Sequence, residues 1–185
     1  MKQTLKHAEQ LGLTVKNIKT FEGHDTMQGF NATVYLNGKK AFHAYEAAHG
    51  GCMEYRVADG NSNYREVNDL IQELEEKLKT FPKYKTTLGT KEYDFQDNLD
   101  CVIDALVSRA LEDKQIARDS KKGILIEIPN GYSILKFKAG TITAMLKKYK
   151  QEAVATMLQG HVAKELKAGS KILNLEYLKS IGVKA

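Results

Sequence analysis

Cysteine is scarce in this chain of 185 residues, which contains only Cys52 and Cys101. Two cysteines cannot build the disulfide framework of a small secreted protein, so free thiols in a reducing compartment are expected. The N-terminal residues include no apolar segment of signal-peptide length, and no stretch approaches the roughly 20 apolar residues of a membrane-spanning helix. We therefore expect a soluble, cytoplasmic protein.

Acidic side chains are scarce in the last third of the chain. Residues 121–185 carry 12 basic and 4 acidic side chains, a net charge of +8, whereas residues 63–120 have a net charge of −4. Such asymmetry indicates an electrostatic partner for the last third. The alternative is that the basic third packs against the acidic middle of the same chain.

The clearest local signal is the pair Asn37-Gly38 between two strand-like runs. Asn-Gly favours a two-residue type I′ turn, because both turn positions need a positive φ. Pairing outward from this turn places Val34 opposite Ala41 and Ala32 opposite His43. One face of the hairpin is predicted to carry Phe30, Ala32, Val34, Ala41, His43 and Tyr45, and the other Asn31, Thr33, Tyr35, Lys40 and Phe42.

Strand-like runs also flank this hairpin, at residues 14–22 and 53–58, so an up-and-down meander of four strands is predicted. Its loops at residues 23–29 and 47–52 then lie at one end of the sheet. They would bring together His24, Asp25, His49 and Cys52. These residue types bind zinc, or serve as nucleophile, base and orienting residue in a hydrolase or nuclease. The favoured alternative is structural, with tight glycine turns and side chains bonded to the loop backbone.

The string GHDTMQGFNATVYLNGKK, followed by HGGC, resembles a module of small uncharacterised proteins encoded by bacteria, their phages and mobile elements. The resemblance covers Ile18 to Arg56 only. It implies a phage or mobile-element origin and a recurring N-terminal module, and it implies no established activity. It suggests inhibition of a host defence system, such as a CRISPR nuclease, in the host cytoplasm.

Beyond the sheet the pattern is mainly helical. Asn63 and Glu66 predict a capping box for a helix that packs on the sheet and ends near Thr80, before Pro82. Residues 82–91 read as a connector, and residues 92–120 as a longer helix. Three residues on one face of that helix are Asp97, Cys101 and Asp104. We interpret them as a solvent-exposed face, because no histidine accompanies them at metal-ligand spacing.

A second Asn-Gly pair, Asn130-Gly131, predicts another hairpin over residues 124–137. Thr141 can cap a third helix, which is expected to bend at Gly160. A short final helix is predicted between Asn174 and Gly182.

Exposed lysines form the predicted partner contact. They are Lys147, Lys148 and Lys150 at the start of the third helix, and Lys164, Lys167 and Lys171 near its end. A nucleic-acid backbone or an acidic protein surface would be attracted to them. The alternative has them neutralised by Asp97, Asp100 and Asp104. Tyr35 and Lys40 could also clamp single-stranded nucleic acid, although packing is the favoured interpretation for them.

Together these patterns predict an α+β protein. An antiparallel four-stranded meander with a packed helix occupies residues 1–81, and a mainly helical part with a second hairpin occupies residues 82–185. The alternative is that the two parts form one continuous domain. The leading hypothesis is a non-enzymatic binding protein, without cofactor or metal, whose partner is a host protein or ribonucleoprotein. The alternatives are a small hydrolase or nuclease, metal-dependent or Cys/His-based, and an RNA-binding protein.

Overall fold

The computed structural model describes residues 2–23, 28–49, 51–58 and 63–184. The fold class is α+β, as predicted. Its helices are α1 (Lys2–Gln10), α2 (Tyr64–Thr80), α3 (Leu99–Ser120), α4 (Ile142–Lys148), α5 (Gln151–Lys167) and α6 (Leu175–Ser180). Its strands are β1 (Leu13–Glu22), β2 (Gln28–Leu36), β3 (Lys39–Glu46), β4 (Glu54–Val57), β5 (Tyr84–Leu88), β6 (Lys91–Phe95), β7 (Ile124–Ile128) and β8 (Gly131–Leu135).

The chain forms two compact units that divide within α3, after Ala110. The sequence pattern indicated a division after residue 81. The β5–β6 hairpin lies in the first unit, where the Tyr84 hydroxyl hydrogen-bonds the Thr4 hydroxyl of α1 at 2.9 Å. This pairing across 80 residues has no local sequence signal.

The first unit contains the predicted meander, with strand order β1-β2-β3-β4 and antiparallel neighbours. The turn between β2 and β3 is the predicted one, since Asn37 and Gly38 have φ values of 49° and 79°. Leu36 pairs with Lys39 and Tyr35 with Lys40, as expected. The register then shifts, and Val34 faces Phe42 rather than Ala41.

This shift makes Ala41 an extra residue in β3, and it inverts the faces of the residues that follow. Phe42 and Ala44 are fully buried, whereas His43 and Tyr45 lie on the opposite face. The predicted faces of β3 are therefore wrong. Burying Phe42 in place of Ala41 removes far more apolar surface from water, and that gain favours the bulge.

Two helices cover the apolar face of the sheet. The capping box of α2 is present as predicted, and α2 buries Val67, Leu74 and Leu78. On the first turn of α3, Asp100 accepts hydrogen bonds from the Met53 backbone N–H at 3.2 Å and from the Tyr55 hydroxyl. Burial and the Asp100 carboxylate raise the pKa of Tyr55 above its usual range.

The predicted connector at residues 82–91 and the first turns of the predicted long helix are instead the β5–β6 hairpin, so α3 begins at Leu99. Leu88 pairs with Lys91 across a two-residue turn in which Gly89 has φ +63°. Polar and aromatic residues alternate in β6 with the two-residue period of a strand. The acidic residues of this segment instead indicated the N-terminal turns of a helix.

The second unit differs from prediction in two places. The β7–β8 turn is Pro129-Asn130 rather than Asn130-Gly131, because Ile128 pairs with Gly131. A shift of two residues keeps every side chain on the same face of the hairpin. The predicted third helix is two helices, α4 and α5, separated by extended backbone at Tyr149 and Lys150. The break, rather than a bend at Gly160, lets both helices contribute to one apolar core.

Buried polar side chains hold the β7–β8 hairpin in the second unit. Asn174 accepts a hydrogen bond from the Leu125 backbone N–H at 2.9 Å and donates to the Gly123 carbonyl at 2.9 Å, instead of capping α6. Asp119 is 3% exposed and accepts hydrogen bonds from the Tyr132 hydroxyl at 2.7 Å and the Gln115 amide at 2.6 Å. The Lys122 ammonium lies 2.6 Å from its other oxygen.

These contacts make the stability of the second unit depend on pH. Lys122, with help from the Tyr132 hydroxyl, lowers the pKa of Asp119 from 3.8 to about 2. A lowered pKa stabilises the fold above the unfolded value, and this stabilisation is lost as pH falls from about 4 to about 2. We expect urea denaturation between pH 5 and pH 2 to show a smaller loss of unfolding free energy in Asp119→Asn than in the wild type. Equal losses in both proteins would show that the Asp119 contacts do not form.

Candidate partner-binding surfaces

The loop site predicted at one end of the sheet lies only partly within the described residues. His24 and Asp25 lie outside the described residues. His49 and Cys52 are both exposed, and His49 Nδ1 accepts a hydrogen bond from the Gly51 backbone N–H at 3.2 Å. Across residues 2–23, 28–49, 51–58 and 63–184, no group of three or more His, Cys, Asp or Glu side chains is placed to hold a metal. The local role of His49 favours the structural interpretation, and the hydrolase alternative stays a prediction.

The acidic face predicted on α3 is partly wrong. Asp97 precedes the helix and is 3% exposed, and its Oδ2 accepts a hydrogen bond from His7 Nδ1 at 2.6 Å. The histidine that the local spacing lacked comes from α1, 90 residues away. Asp104 is exposed as predicted, and Cys101 is half-buried, where burial raises the pKa of its thiol.

These contacts bear on the idea that carboxylates of the middle third neutralise the lysines. Asp97 already bonds to His7 and to the Tyr84 hydroxyl, which donates to Oδ1 at 2.9 Å. Asp100 already bonds to Tyr55 and Met53. Two of the three proposed carboxylates thus have partners within the first unit.

The lysines at the end of α4 are unneutralised in the part of the chain that the structure describes. Lys147, Lys148 and Lys150 are exposed and form no ion pair there. The Lys148 ammonium lies 5.4 Å from the ring centroid of Tyr149, which is itself 48% exposed. The α4–α5 break therefore presents an aromatic ring among three cations.

An apolar cavity of about 200 Å³ adjoins these lysines. Its walls are Ala139, Met145, Tyr149, Ala153, Val154 and Met157. Lys148 and Lys150 flank Tyr149 in the chain, and Lys138 precedes Ala139. Glu152, next to Ala153, is the one carboxylate adjacent in sequence to a wall residue. The charged residues adjacent in sequence to its walls are therefore predominantly basic.

The other predicted lysines lie at the far end of α5. Lys164 and Lys167 are exposed in its last turn, about 21 Å and about 25 Å along the helix from Lys150 at 1.5 Å per residue. Lys171 pairs with Glu127 at 2.7 Å, so it contributes little free charge. The six lysines thus form two separate groups, and the group around Tyr149 has more free charge.

Tyr35 and Lys40 lie on the sheet of the first unit. Tyr35 is half-buried and contacts the Lys16 ammonium, which lies 4.8 Å from the ring centroid. The Lys40 ammonium donates a hydrogen bond to the Ala58 carbonyl at 2.8 Å. Phe42, predicted beside them, is in the core. Lys40 is therefore hydrogen-bonded within the first unit, and a nucleic-acid clamp formed by Tyr35 and Lys40 stays a prediction.

Comparison with known proteins identifies no relative. No family model, curated protein or solved structure matches this chain. The resemblance over Ile18 to Arg56 therefore stays a prediction, and the assignment of function rests on the surfaces themselves. Within the described ranges, no helix combines the length and the apolar composition needed to cross a membrane.

Two features of these surfaces were missed in the sequence. The apolar cavity needs the α4–α5 break, although the string Lys-Lys-Tyr-Lys already placed an aromatic residue among cations. The buried contact of His7 with Asp97 had no signal at all, because the two residues are far apart in the chain.

Proposed function

We propose that the protein is a non-enzymatic binding protein of phage or mobile-element origin that occupies an acidic surface of a host protein. The partner that we favour is a protein of a host defence system, such as a CRISPR nuclease or its ribonucleoprotein, in the host cytoplasm. The observation that supports this function is the group of free lysines around Tyr149 and its apolar cavity. We name Lys147, Lys148 and Lys150, together with Tyr149 and the cavity, the lysine surface.

Charge is the first argument. The second unit has 14 basic and 7 acidic side chains, a net charge of +7, whereas the whole chain has +5. Charges on a solvated surface that have no partner of their own attract an oppositely charged surface and speed its association. Exposed lysines add little to folding stability, so their accumulation here is more easily explained by binding.

The cavity favours a protein over a nucleic acid at this surface. Its walls are aliphatic, thioether and aromatic, with the Tyr149 hydroxyl as the one polar side-chain group. A base inserted there would leave most of its hydrogen-bonding edge unpaired, which is costly in an apolar site. An apolar side chain would leave no hydrogen-bonding group unpaired. Its size is also compatible with the cavity, since an apolar cavity of about 150 Å³ can hold a benzene ring. The expected partner segment has an apolar anchor flanked by Asp or Glu.

Charge reversal tests this proposal. We expect the triple variant Lys147→Glu, Lys148→Glu, Lys150→Glu to capture its partner from nuclease-treated host lysate at least about tenfold less well than the wild type. The matched control is Lys2→Glu, Lys83→Glu, Lys91→Glu, which changes the same charge on exposed residues of the first unit. This control should capture the same protein as well as the wild type does.

Melting curves of the two triple variants separate binding from folding. Both are expected to stay within about 0.5 kcal/mol of the wild-type stability, because the substituted side chains are exposed. Equal capture by the two variants would refute the lysine surface as the contact. Capture that disappears after nuclease treatment would refute an acidic protein as the partner.

A further inference from the structure

The first unit has a second surface whose chemistry differs from that of the lysine surface. The bulge at Ala41 sends Phe42 into the core and turns His43 and Tyr45 to the opposite side of the sheet. Together with their neighbours on β1, β2 and β4 they form what we name the open face. It consists of Lys16, Phe21, Tyr35, His43, Tyr45 and Arg56.

The six side chains of the open face surround Thr33, which pairs with Lys16 and His43 and is 2% exposed. All six side chains are at least partly accessible to solvent. The ring and cation–π contacts described for them join side chains of the sheet to one another. His43 likewise hydrogen-bonds Thr33 of β2, with Nδ1 3.2 Å from the hydroxyl.

Aromatic rings occur at two positions along this face. Phe21 and Tyr45 stack with their centroids 5.7 Å apart and their planes at 20°. Tyr35 lies further along the sheet. Tyr45 pairs with Asn31 of β2, and Asn31 and Tyr35 are four residues apart on that strand, or about 13 Å. The face therefore carries aromatic rings at two separate positions along β2 and β3.

Cations accompany both aromatic positions. The Lys16 ammonium lies 4.8 Å from the Tyr35 centroid, and the Arg56 guanidinium lies 4.5 Å from the Tyr45 centroid. Lys19, exposed on β1, pairs with Asn31 beside Tyr45. Glu54 pairs with Arg56 at 2.6 Å, so Lys16 and Lys19 supply most of the free positive charge of this face.

We propose that the open face binds single-stranded nucleic acid. Unpaired bases stack on aromatic side chains of a solvated antiparallel sheet while adjacent cations contact the phosphates. Duplex nucleic acid does not offer its base planes, so it fits this face poorly. The proposal does not depend on the lysine surface, which lies in the other unit.

Fluorescence anisotropy with labelled twelve-residue oligouridine tests the proposal, with oligothymidine of the same length and a twelve-base-pair duplex as comparison probes. We expect saturable binding of a single strand that exceeds duplex binding, and the stronger of RNA and DNA identifies the natural ligand. Tyr45→Ser should weaken binding about 5- to 100-fold, the range measured for loss of one stacked base. Tyr45→Phe should retain it, since the ring remains.

Two further variants separate a loss of binding from a loss of folding. Lys16→Glu with Lys19→Glu changes exposed side chains only and should weaken binding and reduce its salt dependence, by about 0.7 per lysine in the slope of log K against log salt. Tyr93→Ser, which removes a 43% exposed tyrosine on β6, should leave binding unchanged. Absence of single-strand binding by the wild type at low salt would overturn the proposal. The proposal would also be overturned if charge reversal at Lys147, Lys148 and Lys150 abolished single-strand binding while the open-face variants retained it.

Discussion

Replacing Phe42 by alanine is expected to destabilise the first unit by about 3–5 kcal/mol, the usual cost of truncating a buried phenylalanine. Phe42 is completely buried on the face that α2 and α3 cover, and its ring meets the Tyr55 ring edge-on at a centroid distance of 5.3 Å. The measurement is chemical denaturation of the full chain, with the two units followed separately by hydrogen exchange.

The matched control is Tyr45→Ala, which truncates another aromatic residue three positions along the same strand. Tyr45 is half-buried on the open face, so its loss should cost clearly less than that of Phe42. If the regular register without the bulge were correct, Tyr45 would be the core residue and the order of the two effects would be reversed. The pair of variants therefore decides between the two registers.

Replacing Asp97 by alanine is expected to cost about 3–5 kcal/mol, because it leaves buried polar groups without their acceptor. His7 is 1% exposed, and its Nδ1 donates to Asp97, while Gln3 Nε2 lies 3.1 Å from His7 Nε2. The Tyr84 hydroxyl also donates to Asp97. One substitution therefore removes the junction of α1, the β5–β6 hairpin and the start of α3.

Asp94→Ala is the control for this effect. Asp94 forms an ion pair with Lys85 at 3.0 Å, but both side chains are more than 60% exposed, so its loss should cost less than about 1 kcal/mol. If denaturation curves gave Asp97→Ala and Asp94→Ala the same free energy of unfolding, that result would contradict a buried His7–Asp97 contact.

The sequence was informative wherever the determinant was local. Asn37-Gly38 predicted its turn because only a few residue types accept positive φ, and Asn63 with Glu66 predicted the capping box of α2 because both bonds lie within four residues. The four-stranded meander followed from such signals. These features are confirmed.

The sequence was misleading where a distant contact decides the local structure. No sequence signal near Ala41 predicts a bulge. The bulge forms because it allows Phe42 to pack in the core beneath α2 and α3. Asp97 looked like a solvated carboxylate because its partner, His7, lies 90 residues earlier. The α4–α5 break likewise depends on the core that both helices enter, and the cavity of the lysine surface depends on the break.

The two proposed surfaces differ in the partner chemistry that they suit. The lysine surface suits an acidic protein segment with an apolar anchor, and the open face suits an exposed single strand. Each has its own variants and its own probe, so either can fail without the other.

Lysine acylation, read by mass spectrometry with and without the captured host protein, tests whether the lysine surface is the partner contact. We expect Lys147, Lys148 and Lys150 to react freely in the isolated protein and to become protected in the complex, whereas Lys2, Lys83 and Lys91 should react equally in both. Unchanged reactivity of Lys147, Lys148 and Lys150 in a saturated complex would contradict the claim that these lysines form the partner contact.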